Sequence, residues 1–184
     1  PWTAGITCNL GLLQERRGDL HTALATFERC RDGNERIMGR EHPEYARALE
    51  NLGRLQRELG RLDEARTSLD EGFALRRRLL GDDSGETTWA VLELADLDRD
   101  AGRLAAAKTR YLAVIEAFAG DDGDETGLAR ARFGLARVRW QLEGPSAEVR
   151  ELAESARALL AKNSDQTHHV RAADAWLAEH PSSR

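Results

Sequence analysis

Apolar residues along this chain recur at helical spacing, three and four apart, on either side of short glycine-containing breaks. "NLGLLQERRGDLHTALATFERC" begins at Asn9 and "NLGRLQRELGRLDEARTSLDEG" at Asn51, 42 residues on; "ELADLDRDAGRLAAAKTRYLAV" begins at Glu93, a further 42 on. In each copy an apolar residue precedes a small one: Leu10-Gly11, Leu52-Gly53, Leu94-Ala95. A glycine follows (Gly18, Gly60, Gly102), then a leucine two residues later, then an alanine (Ala23, Ala65, Ala107). Four residues beyond each alanine stands Phe27, Leu69 or Tyr111. A fixed period of this length predicts stacked two-helix units, because one hairpin alone cannot bury its apolar stripe.

Local residue choices predict how each unit is shaped. The break glycines suit the left-handed backbone that ends a helix. Gly11, Gly53 and Ala95 fall inside a helix, where glycine costs about 1 kcal/mol relative to alanine. Close approach of the second helix, met by Ala23, Ala65 and Ala107, would offset that cost. Asp82, Ser84, Asp122 and Asp124 stand where helix N-caps are needed. The fourth unit, "GLARARFGLARVRWQLEGPSAEVRELAESARALLAKN", keeps the two-helix pattern with Gly144-Pro145 at its break, and its register slips by about one residue. A last amphipathic segment, "SDQTHHVRAADAWLAEH", reads as a single closing helix with Val170, Ala173, Trp176 and Leu177 on one stripe. Predicted units are 1–42, 43–84, 85–125 and 126–163, with the closing helix over 165–179.

"LENLGRLQRELGRLDEARTSLDEGFALRRRLLGDD" and the junction "MGREHPEYARAL" resemble the tetratricopeptide-repeat family, specifically the 42-residue kind of kinesin light chains and many bacterial proteins. The resemblance implies one domain over 1–184, an all-α, right-handed α-solenoid of antiparallel helical hairpins closed by a C-terminal capping helix. It also implies a concave groove, lined by the first helix of each unit, that takes a peptide or partner protein without catalysis. Carried over residue by residue, the groove positions are Arg47, Glu50, Asn51, Arg54 and Arg57 in the second unit. In the third they are Trp89, Glu93, Asp96 and Arg99, and in the fourth Arg130, Arg137 and Trp140. Asn9 and Asn51 match the family's groove asparagine, whereas the third unit has Glu93 there. "ARARFGLARVRWQLEG" through "AADAWLAEH" also resembles the tails of tetratricopeptide regions appended to bacterial Ser/Thr kinases. That implies a regulatory or substrate-docking role, although this chain holds no Gly-rich phosphate loop, "HRD" or "DFG".

The chemistry of the groove follows from these residues. Arg47 and Arg54, like Arg130 and Arg137, are seven apart and share a helix face. Guanidinium groups pair bidentately with carboxylates, so the expected ligand is an acidic segment, anchored on Trp89 and Trp140. The alternatives are a solvated arginine face tied to nearby Asp and Glu, a core position for Trp140, and packing of Trp176 within the closing helix.

Composition narrows the class further. There are 27 Lys and Arg against 32 Asp and Glu, a net charge of −5, which disfavours a nucleic-acid binder. Hydrophobic residues make up 41% and no apolar run is long enough to span a bilayer, so no membrane partner is expected. Cys8 and Cys30 read as reduced, semi-buried thiols, which with the missing signal-peptide pattern points to the cytoplasm. Pro1 in first position reads as a piece of a longer protein. "DDGDETG" at Asp121–Gly127 lacks the alternating ligands of a calcium loop. His168 and His169, about 100° apart on a helix, make a poor chelate, and His42 in "HP" reads as structural. Neither a metal, a cofactor nor a catalytic residue is expected. A second reading is self-association, with a homodimer formed through an exposed face or the N-terminal end.

Overall fold

In the computed structural model, which describes residues 4–120, 123–163 and 166–181, the described residues are helices joined by short turns. The helices are α1 (Ala4–Arg16), α2 (Leu20–Met38), α3 (Pro43–Glu58), α4 (Leu62–Leu80), α5 (Gly85–Asp100), α6 (Leu104–Phe118), α7 (Glu125–Glu143), α8 (Ala147–Leu160) and α9 (Thr167–Glu179). The fold class is all-α, as the periodicity required. Two compact units divide the chain within α5, the first Pro1–Leu97 and the second Asp98–Arg184.

Turns and caps follow the local sequence. Gly18, Gly60 and Gly102 have φ of 82°, 75° and 72°, a conformation in which a Cβ would be strained. His42 opens α3 with its Nδ1 accepting from the Glu44 N–H at 3.1 Å, ahead of Pro43 in the first turn. The Ser84 hydroxyl accepts from the Thr87 N–H at 3.1 Å. Asp124 accepts from the Thr126 and Gly127 N–H groups at 2.8 and 2.9 Å. Asp82 does not cap; it pairs with Arg77 at 3.1 Å. Asp122 lies outside the described residues.

In the first unit, α1 packs on α2, α2 on α3 and α3 on α4. Leu52 and Leu55 of α3 sit with Ala23, Leu24 and Phe27 of α2. One period later, Leu94 and Leu97 of α5 sit with Ala65 and Leu69 of α4. This corrects the expected place of the alanines. A Cβ on Gly11 would come within 2.7 Å of the Phe27 ring, and one on Gly53 within 2.6 Å of Leu69 Cγ. The small residue in the first helix therefore makes room for the large side chain four residues past the alanine. The alanine itself seats the leucines of the next first helix.

The cysteines also depart from expectation. Cys8 and Cys30 are joined as a disulfide with Cα atoms 5.2 Å apart, stapling α1 to α2. Both positions face the seam between these helices and are buried against Ala48. Asn34, also buried, donates its amide to the Cys30 carbonyl at 3.0 Å and lies 3.5–3.6 Å from the two sulfurs. Residue spacing alone said nothing about this facing, which arises where two helix stripes meet.

In the second unit, α6 packs on α7, α7 on α8 and α8 on α9. Asp98, 1% exposed, accepts from Arg103 Nε at 2.8 Å and from Arg110. A buried carboxylate requires such pairing. One period earlier the equivalent positions hold a neutral version: the Ser68 hydroxyl donates to Gln56 at 2.8 Å. At the C-terminal end, Arg150 donates to the carbonyls of Leu177 and His180 at 3.2 and 2.8 Å, satisfying groups that α9 leaves open.

Two stability outcomes follow. Reducing the Cys8–Cys30 bridge, which closes a separation of 22 residues, is expected to lower the unfolding free energy by about 3 kcal/mol. Urea unfolding with and without reductant checks this, and thiol titration of the oxidised native protein should find no free cysteine. Gly53→Ala should destabilise the chain by about 1–3 kcal/mol despite the better helix propensity of alanine, because its methyl group collides with Leu69. Thermal unfolding of the variant reads the sign directly.

Candidate functional site

The first helices of two successive hairpins, α3 and the portion of α5 in the first unit, border a cleft of about 130 Å³. Glu50, Asn51 and Arg54 line it from α3, and Trp89, Ala90 and Glu93 from α5. Asn51, two before the small residue Gly53, and Arg54, one beyond it, fall on the same open face of α3, because Leu52 and Gly53 are turned to neighbouring helices. Five of the expected residues, Glu50, Asn51, Arg54, Trp89 and Glu93, thus come together in one place, the first four half-buried and Glu93 buried. Ala90, which was not anticipated, leaves the space between Trp89 and Glu93 open.

The charges around this cleft are already engaged. Arg54 makes a fork with Glu15 of α1, its Nη2 donating to Oε2 at 2.7 Å and its Nη1 to Oε1. Arg76 of α4 donates from Nε and Nη2 to the two Glu50 oxygens at 2.8 and 3.1 Å. Arg57 Nη2 lies 3.7 Å from Glu93 Oε2. Burial pushes the Glu50 carboxyl above the usual carboxylate range, and the Arg76 guanidinium partly reverses that. The lining therefore carries one guanidinium and two carboxylates, each with a counter-charge.

Other expected positions lie outside the cleft lining. Arg47 pairs with Glu44 one helical turn back, and Asp96 is buried on α5. Arg130, Arg137 and Trp140 belong to α7 in the second unit. Arg137 stands over the Phe133 ring at 5.9 Å. Trp140 meets Trp176 edge-on at 5.5 Å and His180 at 4.9 Å, inside a cluster with Ala136, Val149 and Ala153. Both tryptophans thus close the α7–α9 core. The His168 and His169 rings, expected about 100° apart on the helix, lie 3.8 Å apart between centroids and are tilted by 40°.

Glu15 and Arg76 were missed. One signal for the first was present: Glu15 and Arg57 are one period apart, as are Arg54 and Asp96, and both positions reverse charge. No comparable signal marks Arg76, a basic residue in the last turns of a helix already rich in arginine.

Residues 2–78 match a family model described as tetratricopeptide repeat. The chain has the tetratricopeptide-repeat fold. Its similarity to BtubC (BKLC) from P. vanneervenii has a TM-score of 0.70 at 19% identity, over 98% of this chain and 67% of that one. A Podosopora anserina protein described as a kinesin light chain of nearly identical TPR-like repeats gives 0.69 at 20%, over 91% and 83%. A single-substitution form of that protein gives 0.69 at 19%, over 91% and 82%. None of the curated proteins is similar enough in sequence to match. Tetratricopeptide repeats generally mediate protein–protein interaction and form non-catalytic modules, and no described helix is long and apolar enough to cross a membrane.

The Arg76–Glu50 fork ties a residue of the cleft lining to α4. Arg76→Ala would leave Glu50 buried without its fork, at an expected cost of about 3 kcal/mol. The double variant Glu50→Gln with Arg76→Met should recover most of that loss in urea unfolding.

Proposed function

We propose that the α3/α5 cleft is a binding site for an extended segment of another protein. The observation that carries this is the convergence of Asn51, Arg54 and Trp89 on one half-buried cleft between successive first helices. An asparagine amide offers a donor and an acceptor, which suits a ligand peptide bond. Trp89 offers a flat apolar surface, and Ala90 beside it leaves room for a side chain.

Preference for an acidic segment rests on Arg54. Glu50 and Glu93 repel a second carboxylate, so the favoured ligand carries one acidic residue opposite Arg54 and otherwise neutral or apolar ones. Its carboxylate would replace Glu15 on the guanidinium, an exchange that conserves charge and gives modest affinity. A buried disulfide is characteristic of oxidising compartments, so the cytoplasmic expectation loses its cysteine argument.

Peptide display against the wild-type chain, beside Arg54→Glu and Glu15→Gln, tests the reading. Wild type should enrich peptides with a single Asp or Glu, and Arg54→Glu should lose them. Glu15→Gln, which removes the competing carboxylate, should bind them about tenfold more tightly, equivalent to ~1.4 kcal/mol. Identical selections from all three proteins would remove the cleft from consideration.

A further inference from the structure

The 42-residue register sets the α1–α2 hairpin beside the α3–α4 hairpin and shows where they differ. Cys8 corresponds to Glu50, Cys30 to Gly72 and Asn34 to Arg76. In the α3–α4 hairpin these positions hold the Arg76–Glu50 fork, an ion pair between first and second helix. In the α1–α2 hairpin the same place holds the Cys8–Cys30 disulfide, with the Asn34 amide 3.5–3.6 Å from the sulfurs. One tie is indifferent to redox state; the other breaks on reduction. The next hairpin also has a second polar tie, the Ser68 hydroxyl donating to Gln56. One period earlier Thr26 stands in the place of Ser68, and the buried Gln14 Oε1 accepts no hydrogen bond.

What α1 brings to the cleft is Glu15, seven residues after Cys8 and so on nearly the same face two turns on. Its carboxylate accepts the Arg54 fork. Between the two lies Gly11, pressed so closely on the Phe27 ring that a Cβ would come within 2.7 Å. Two thiols cannot stand as near each other as two bonded sulfurs. The junction that holds them is buried against Ala48, so the extra separation must be taken up by the helices.

We propose that the Cys8–Cys30 bridge controls the cleft: oxidised, it holds Glu15 on Arg54; reduced by a dithiol, it lets α1 rock about the Gly11–Phe27 contact and frees the guanidinium for a ligand carboxylate. This regulation rests on the reading of the α3/α5 cleft as a peptide site. In the exchange, one thiolate of the dithiol attacks a bridge sulfur, and the second then closes a disulfide within the reductant. The Cys8–Cys30 bond breaks, and two electrons and two protons arrive there as two thiols. Both sulfurs are buried, so attack requires α1 to lift first. Whatever takes Glu15 off Arg54 therefore eases reduction, and linkage makes the two effects equal in size.

Two measurements need no peptide. Phenylglyoxal labelling, read at each arginine by mass spectrometry, should modify Arg54 about fivefold faster in the reduced than in the oxidised chain. Arg76, held by Glu50, should change little. Cys8→Ala should label Arg54 at the fast rate with or without dithiothreitol. In redox titration against dithiothreitol buffers, Glu15→Gln should raise the reduction potential by about 30 mV, the equivalent of a tenfold coupling. Glu44→Gln, which removes the Arg47 pair within α3, should leave the potential unchanged. Equal labelling of Arg54 in both redox states, or a Glu15→Gln potential equal to that of wild type, overturns the proposal. Equal acceleration at Arg54 and Arg76 overturns it as well, because that marks general loosening. Peptide display on oxidised and reduced wild type is read separately. If neither selects acidic peptides while Arg54 labelling follows the bridge, the peptide reading falls and the control of Arg54 stands. If both select the same peptides equally well and Arg54 labelling ignores the bridge, the cleft remains a peptide site and the redox control falls.

Discussion

Everything in the first unit depends on one repeated contact, the seating of two leucines of a first helix on the alanine and large apolar residue of the helix before it. Leu52 and Leu55 on Ala23 and Phe27, then Leu94 and Leu97 on Ala65 and Leu69, are the same joint made twice. It works because the large residue has somewhere else to go: Phe27 fills the space left by Gly11, and Leu69 the space left by Gly53. The glycine and the alanine thus serve different neighbours. One admits the large side chain within the hairpin, and the other receives the next hairpin.

That joint fixes which residues face the cleft. With leucines at 52 and 55 turned to α2 and glycine at 53 turned to α4, positions 51 and 54 are left to face the cleft. The cleft's chemistry is then set by ion pairs between helices. Arg54 reaches back to Glu15, and Glu50 is held by Arg76 from α4. Each pair crosses from one helix to another, so the pairs stiffen the hairpins and hold the cleft nearly neutral. A charged ligand must compete with a partner already present, which favours selectivity by placement over attraction by net charge.

Much of the architecture was legible in the sequence, for a local reason. Helix ends depend on residues a few positions apart: a glycine free to take positive φ, a His-Pro or Asp cap, an apolar stripe at helical spacing. The positions Asn51, Arg54 and Trp89 came from the resemblance to the tetratricopeptide-repeat family, and in the structure they line one cleft. The fourth unit was harder. Trp140 shares its helix face with expected cleft residues, but α9 comes to lie against it, and no periodic partner announces a helix outside the repeat.

What the sequence alone determined is the all-α repeat: its period, its turns, and which side of each helix is apolar. What only the tertiary structure decided is which groups meet across helices. Cys8 bonds Cys30, Arg54 selects Glu15 over other carboxylates, and Phe27 rather than Ala23 fills the space beside Gly11. The physical reason is range. Helix formation is settled by hydrogen bonds between residues about four apart, whereas these meetings join residues 16 to 39 apart. They turn on small differences in side-chain reach and helix crossing that the pattern of apolar and polar positions does not encode.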